Sequence, residues 1–174
     1  MATPWYCETA MLVLLRALIY ATLFVSLVLV FLPVQVLSRA GIVGPQSLGV
    51  LQVAGAVLTI GGALLALWCV LSFVIVGRGT PAPFDPPRRL VAQGPYARVR
   101  NPMYIGAGAA LLGASLFYRS LALLGYLAVL FLITHLFVVL YEEPTLRATF
   151  GADYESYCRR VRRWWPRIGG GDRS

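Results

Sequence analysis

Hydrophobic and polar positions in this chain are sorted into long blocks. Uncharged stretches run from Ala17 to Ser38, Ala40 to Gly77, Asn101 to Tyr118 and Ser120 to Tyr141. Each can hold the roughly 17 to 25 residues that a helix needs to cross a bilayer. The pattern predicts an all-α, polytopic membrane protein with about four spans. The first two cover about Met11 to Val36 and Leu48 to Val76, the third starts at Asn101, and the fourth covers Ser120 to Tyr141. Arg16 is expected to snorkel back toward the head groups and Pro33 to kink or end the first helix. In the second span, Gly55, Gly61 and Gly62 offer a flat strip for close helix contact. Asn101-Pro102 reads as an N-cap followed by proline at the first helical position, so the third span begins abruptly. Its run of small residues, from Gly106 and Gly108 to Gly113 and Ser115, leaves a flank that can admit a neighbouring backbone or a ligand.

The polar segments between these blocks carry the rest of the organisation. Gly41 to Ser47 is a short connection, whereas Gly77 to Arg100 is long and contains Pro81, Pro83, Pro86 and Pro87, which exclude a regular helix. It reads as an irregular lid over the ends of the spans. After the fourth span comes Glu142-Glu143-Pro144. Either the two acids end that helix, at the unfavourable pole of its dipole, or Pro144 begins a new helix that they help to cap. Glu143 and Arg147 also have the i, i+4 spacing of a helical salt bridge. Beyond Gly151, Asp153 is placed to cap a terminal helix with Tyr154, Tyr157, Cys158, Val161, Trp164 and Trp165 on one face. Arg159, Arg160, Arg162 and Arg163 occupy the other, an interfacial amphipathic pattern. The chain thus reads as one integral membrane domain. Residues 11–76 are scaffold spans, 77–100 a Pro-rich loop, 101–166 the functional core with the interfacial helix, and 167–174 a flexible tail.

Composition excludes the soluble alternative. Of 174 residues 59% are hydrophobic and 13% charged, and mean hydropathy is +0.74. The net charge of +8 would raise nucleic-acid binding in a soluble chain, but all fifteen basic residues are arginine and their positions follow the spans. Five lie between the second and third blocks and seven after the fourth, so those regions are expected on the cytoplasmic side with both termini. The inner (plasma) membrane is the expected location, and the basic patches are expected to meet anionic lipid head groups rather than nucleic acid. The first block lacks a preceding basic run and is long for a signal sequence, so it is expected to be retained. Cys7, Cys69 and Cys158 form no disulfide framework or metal-ligand pattern.

Candidate chemistry is confined to a few polar residues. There is no phosphate-binding loop, no nucleophile elbow and no set of metal ligands. Tyr96, Arg98, Arg100, Asn101, Tyr104, Glu142, Glu143 and Arg147 cluster at the expected cytoplasmic ends of spans three and four. Such a cluster beside a narrow helix suits the joining of a water-soluble cofactor to a membrane-dissolved substrate. His135, the single histidine, lies seven residues before Glu142 on the same helical face. A histidine inside a span is a functional candidate, here either for an interhelical hydrogen bond or for the polar edge of a substrate chamber. Tyr154, Tyr157 and Arg159 are further candidates for substrate contact.

One stretch, Gly94-Pro95-Tyr96-Ala97-Arg98-Val99-Arg100-Asn101-Pro102-Met103-Tyr104-Ile105-Gly106, occurs together with Glu142-Glu143-Pro144-x-Leu146 and Phe150-Gly151-x-x-Tyr154-x-x-Tyr157. This combination resembles the isoprenylcysteine carboxyl methyltransferase and phospholipid methyltransferase superfamily of integral membrane enzymes. The resemblance covers about Gly94 to Pro166, while spans one and two share only hydrophobicity. It implies S-adenosyl-L-methionine as cofactor and a lipophilic acceptor, with a prenylated substrate, a phospholipid and a lipophilic small molecule as the alternatives. The superfamily's RHPxYxG block corresponds to Arg100 through Gly106, with Asn101 in place of histidine, which removes a titratable group. The GxG element corresponds to Gly106-Ala107-Gly108 and the paired glutamates to Glu142 and Glu143. The implied cofactor residues are Tyr96, Arg98, Arg100, Asn101, Pro102, Tyr104, Gly106, Gly108, Glu142 and Glu143. Among these, Arg100, Asn101 and Glu143 are nearest the chemistry. Arg98 or Arg100 would pair with the methionyl carboxylate, and Glu142 or Glu143 with its ammonium or the adenosine hydroxyls. The absence of a clear general base favours a carboxylate or another easily ionised acceptor. An NADPH-dependent membrane reductase and a non-catalytic scaffold or small transporter are the readings from other classes.

Overall fold

The computed structural model describes residues 15, 19, 22–23, 25–42, 44–45, 48–77 and 89–166. Residues 1–14, most of 16–24 including Arg16, residues 78–88 of the Pro-rich connection and the tail at 167–174 lie outside the described residues. Apart from its connections the described chain is helical, with one isolated bridge between Val99 and Arg162. Its helices are α1 (Leu32–Arg39), α2 (Val50–Ser72), α3 (Pro102–Tyr118), α4 (Leu121–Phe137) and α5 (Glu143–Arg160). Wider π-helical turns, Val25–Phe31, Phe73–Gly77 and Val138–Glu142, adjoin α1, α2 and α4.

Two of these π turns explain how the chain tolerates its prolines. Pro33 and Pro144 stand at the second positions of α1 and α5, directly after π turns that continue into those helices, and each lacks the N–H that would extend the ladder there. A proline ring also clashes with the carbonyl four residues back. Those carbonyls belong to Leu29 and Leu140, inside the π turns, whose wider spacing makes room. Pro33 therefore does not end the first helix, which continues to Arg39. The π turn before Pro33 is further held by α4, where the Tyr126 hydroxyl donates to the Val28 carbonyl at 2.8 Å. Pro144 begins a helix directly continuous with the apolar one, so Glu142 and Glu143 sit at a junction inside a long rod.

Two stretches are long and apolar enough to cross a membrane, Val50–Gly77 and Leu121–Arg160. Only 18% and 11% of their most apolar windows are buried within the molecule. A helix from the core of a soluble protein would be mostly buried, so these face an apolar surrounding. Pro102–Tyr118 is shorter, about 25 Å at 1.5 Å per residue. It turns directly into α4 through Arg119, whose φ of 50° is left-handed. Ser120 caps α4, its Oγ accepting from the Leu123 N–H at 3.2 Å.

The principal contact is an antiparallel seam between α2 and α3. Gly55 meets Gly113, and one heptad along each helix Gly62 meets Gly106, each carbonyl lying where the other's Cβ would be. An added Cβ at Gly62 would stand 2.5 Å from both the Ala110 nitrogen and the Gly106 carbonyl oxygen. Thr59 bridges between the two pairs, its hydroxyl reaching the Gly55 carbonyl at 2.9 Å and the Ala110 carbonyl at 3.2 Å. The flank of α3 that was free to admit a backbone or a ligand thus takes a backbone. Gly61 does not share in the strip, since a Cβ there would meet nothing within 4 Å.

The terminal segment departs from the expected interfacial helix. Gly151, with φ of 50° and ψ of −123°, kinks α5, and the helix ends at Arg160. Val161 is extended and Arg162 pairs with Val99, so residues 161–164 form a strap across the start of α3. The face carrying Tyr154, Tyr157 and Val161 is buried against Leu90, Ala92, Leu146 and Phe150 instead of facing lipid. Trp165 remains 76% exposed.

The seam predicts a matched pair of variants. Gly62→Val forces the backbones apart at a cost of about 1 to 3 kcal/mol and lowers the thermal midpoint of the protein in detergent. Gly61→Val, one residue away on the open face, leaves it unchanged. Equal midpoints for the two would rule out this packing.

Candidate functional site

Three segments distant in sequence converge where α3 and α5 begin. The first is the loop ahead of α3, where a 3₁₀ turn at Gly94–Ala97 buries Tyr96 and delivers Arg100 and Asn101 to the helix start. The second is the junction carrying Glu142 and Glu143. The third is the strap after α5. Its path is set by backbone pairing, the Arg100 N–H donating to the Arg162 carbonyl at 2.9 Å.

Glu143 is the centre of this convergence. Its carboxylate receives both ends of the Arg163 guanidinium, Nε to Oε1 at 2.6 Å and Nη2 to Oε2 at 2.9 Å. Arg100 Nη2 lies 3.2 Å from the same Oε1. The Glu143 and Arg100 side chains are 8% and 12% exposed, so the interaction is poorly screened, while Arg163 at 31% is partly solvated. The bond to Glu143 holds the Arg163 guanidinium above its ordinary pKa, although its burial acts the other way. The helical partner expected for Glu143 was Arg147, one turn on; the structure instead directs Glu143 to arginines 43 and 20 positions away and leaves Arg147 exposed.

The remaining contacts of Arg100 lead to a cavity. Its Nη1 donates to Cys158 Sγ at 2.6 Å, and its Nε is buried without a partner among the described residues. A space of about 40 Å³ is lined by Phe73, Leu90, Val91, Tyr96, Arg100, Asn101, Glu142, Glu143, Leu146, Tyr154 and Tyr157. A second space, of about 20 Å³, shares Phe73, Tyr96, Arg100, Asn101 and Glu142 and adds Met103 and Tyr104. Tyr104 donates its hydroxyl to Glu142 Oε2 at 3.1 Å, and Tyr157 donates to the Tyr96 carbonyl at 2.7 Å. Burial above all, with Cys69 and Glu142 nearby, pushes the Tyr96 phenol well above its ordinary pKa, so it stays protonated.

The structure gathers Tyr96, Arg100, Asn101, Tyr104, Glu142, Glu143, Tyr154 and Tyr157 around these spaces. Other expected site residues lie elsewhere. Arg98 and Arg159 are exposed and line neither space. Pro102 is fully buried at the helix start. Gly106 is occupied by the α2 seam, and Gly108 faces Leu127 of α4. His135 accepts at Nδ1 from the Trp164 indole at 3.2 Å and stacks on Phe131. It therefore holds the strap and does not edge the cavity. Asn101 is not a side-chain cap; its Nδ2 donates to the Arg163 carbonyl at 3.3 Å. Sequence reasoning missed Arg163, Trp164 and the apolar wall of Phe73, Leu90 and Val91. Arg163 was hidden in a basic run that reads as a solvated helix face.

Removing the Glu143 charge leaves two arginines facing each other in a largely buried place. Glu143→Gln is therefore expected to cost about 3 kcal/mol and to lower the unfolding midpoint measured by tryptophan fluorescence. Glu142→Gln keeps an acceptor for Tyr104 and changes it by less than about 1 kcal/mol. The opposite order would remove Glu143 from its central place.

Comparison with known proteins bears on what this site does. No curated protein and no solved structure matches the chain. The family model described as phospholipid methyltransferase matches residues 50–153, from the start of α2 to beyond the kink in α5. The likeness thus takes in the second apolar span, which the motifs alone left out, and stops before the strap. With more than half its length covered by that match, the chain belongs to the phospholipid methyltransferase family, within the superfamily that also holds the isoprenylcysteine carboxyl methyltransferases.

Proposed function

We propose that this membrane methyltransferase moves the methyl group of S-adenosyl-L-methionine to a lipophilic acceptor, at the paired spaces beside Arg100 and Glu142. The observation that carries the reading is the donor set. A largely buried guanidinium whose Nε has no partner among the described residues, a carboxylate and four aromatic rings line one space. Arg100 suits the carboxylate end of the methyl donor. Glu142 suits its ammonium or ribose hydroxyls, and Phe73, Tyr96, Tyr154 and Tyr157 suit the adenine ring. The sulfonium activates its own methyl group, so the protein has only to orient the reactants and exclude water. Small-molecule sites usually enclose about 300 Å³ or more, so binding requires the lining to part. The apolar side chains Phe73, Leu90, Val91 and Leu146 are the ones free to shift, having no polar bonds to break.

A carboxylate is the acceptor favoured by the cavity's lack of histidine. Asn101 cannot take up a proton, and Glu143 is already held by two arginines. An acceptor that arrives ionised needs no base. A phospholipid amine is the second reading. The matched family favours it, and Glu142 offers a carboxylate to receive the proton. The same proposal gives the chain four spans, both termini on the cytoplasmic side of the inner membrane, and anionic lipids against the exposed arginines.

Purified protein in detergent is expected to bind S-adenosylhomocysteine with a Kd on the order of micromolar and not to bind NADPH. Arg100→Ala is expected to abolish the binding. NADPH binding without S-adenosylhomocysteine binding would replace this reading with the reductase one. Incubation with labelled methyl donor and native membrane lipids then separates the acceptors. A methyl ester releases volatile label in mild base, whereas an N-methyl product keeps it.

A further inference from the structure

We propose that the strap Val161–Trp164 completes the methyl-donor site, and that Arg163 is a positioning residue that keeps Arg100 available to the donor's carboxylate. The proposal rests on the reading of the cavity given above and concerns residues outside the family match, which stops at 153.

The first three residues of the strap are tied to the site and the fourth to α4. Val161 is buried with Tyr154 and Tyr157, and its N–H bonds the Tyr157 carbonyl at 2.9 Å. The carbonyls of Arg162 and Arg163 receive the Arg100 N–H and the Asn101 side chain. Trp164 is fastened to His135 and packs on Phe131, with ring centroids 5.2 Å apart. With its backbone held on both sides, the Arg163 side chain is delivered to Glu143 as a two-point fork.

That fork decides what Arg100 can do. One carboxylate faces two guanidiniums, so the triad carries a surplus positive charge. Arg163 takes both Glu143 oxygens at 2.6 and 2.9 Å, while Arg100 has a single, longer contact of 3.2 Å. Glu143 is thereby engaged by Arg163, and the surplus charge resides on Arg100, whose side chain lines the cavity and whose Nε is buried and has no partner among the described residues. Without the Arg163 fork, Glu143 is free to turn and take Arg100 in the two-point geometry that guanidinium and carboxylate prefer. The cation needed by an anionic group would then be cancelled.

Two probes and three variants test this by calorimetry on the full chain in detergent. S-adenosylhomocysteine carries the carboxylate, and 5′-methylthioadenosine lacks it. Arg163→Gln is expected to weaken S-adenosylhomocysteine about tenfold and to leave 5′-methylthioadenosine within about twofold. In Glu143→Gln/Arg163→Gln the neutral amide no longer captures Arg100, so S-adenosylhomocysteine binding is expected to be stronger than in Arg163→Gln alone. Arg163→Lys, a single-point cation, gives a smaller loss of the same kind and serves if the glutamine variants do not fold. Unchanged S-adenosylhomocysteine binding, an equal loss of both probes, or a double variant no stronger than Arg163→Gln would each overturn the proposal. Wild-type protein that binds neither probe would instead remove the underlying reading of the cavity.

Discussion

The ion triad of Glu143 with Arg100 and Arg163 governs how the other parts of this molecule fit together. It joins the start of α3, the start of α5 and the strap after α5. Burying charges is costly unless each is paired and the geometry is good. Here the two-point fork from Arg163 and the shared oxygen toward Arg100 meet that condition for the carboxylate. Of the Arg100 guanidinium, Nε is left without a partner among the described residues. A charged site inside an otherwise apolar protein is thus stabilised by the same contacts that shape it.

The helices supply the frame that makes such a triad possible. Paired glycines let α2 and α3 approach until backbone touches backbone, which sets the height of Arg100 and Asn101 at the α3 start. The π turn ahead of Pro144 carries the chain from α4 into α5 without a break, so Glu142 and Glu143 are presented from a rod and not from a loop. The kink at Gly151 then lets the end of α5 turn so that its tyrosines cover the cavity. Tyr126 and His135, both on α4, use their polar atoms to hold the first helix and the strap.

Much of this was legible in the order of residues. The apolar blocks, the N-terminal proline of α3 and the gathering of Tyr96, Arg100, Asn101, Tyr104, Glu142 and Glu143 all follow from residue types at the ends of the apolar blocks. What was misjudged depended on direction in space. Gly61 and Gly62 are adjacent in sequence and opposite in environment, because one residue rotates a helix by about 100°. Gly106 and Gly108 read as one motif yet face different helices. Trp164 and Arg163 fitted an amphipathic helix that stops at Arg160, and an extended backbone sends alternate residues to opposite sides, one to His135 and the other to Glu143.

Residue order alone settled the solvent and the chemistry on offer. Long uncharged blocks require an apolar surrounding, and they confine most of the charged residues to the segments between and after them, since local hydropathy and residue type depend on nothing distant. The partnerships were settled by the fold. Glu143 had Arg147 within one helical turn, but the buried position of its carboxylate and the backbone pairing of Val99 with Arg162 made Arg163 and Arg100 its partners. A charge inside an apolar protein is matched by whichever opposite charge the fold brings to it, and nearness along the chain has little say in that choice.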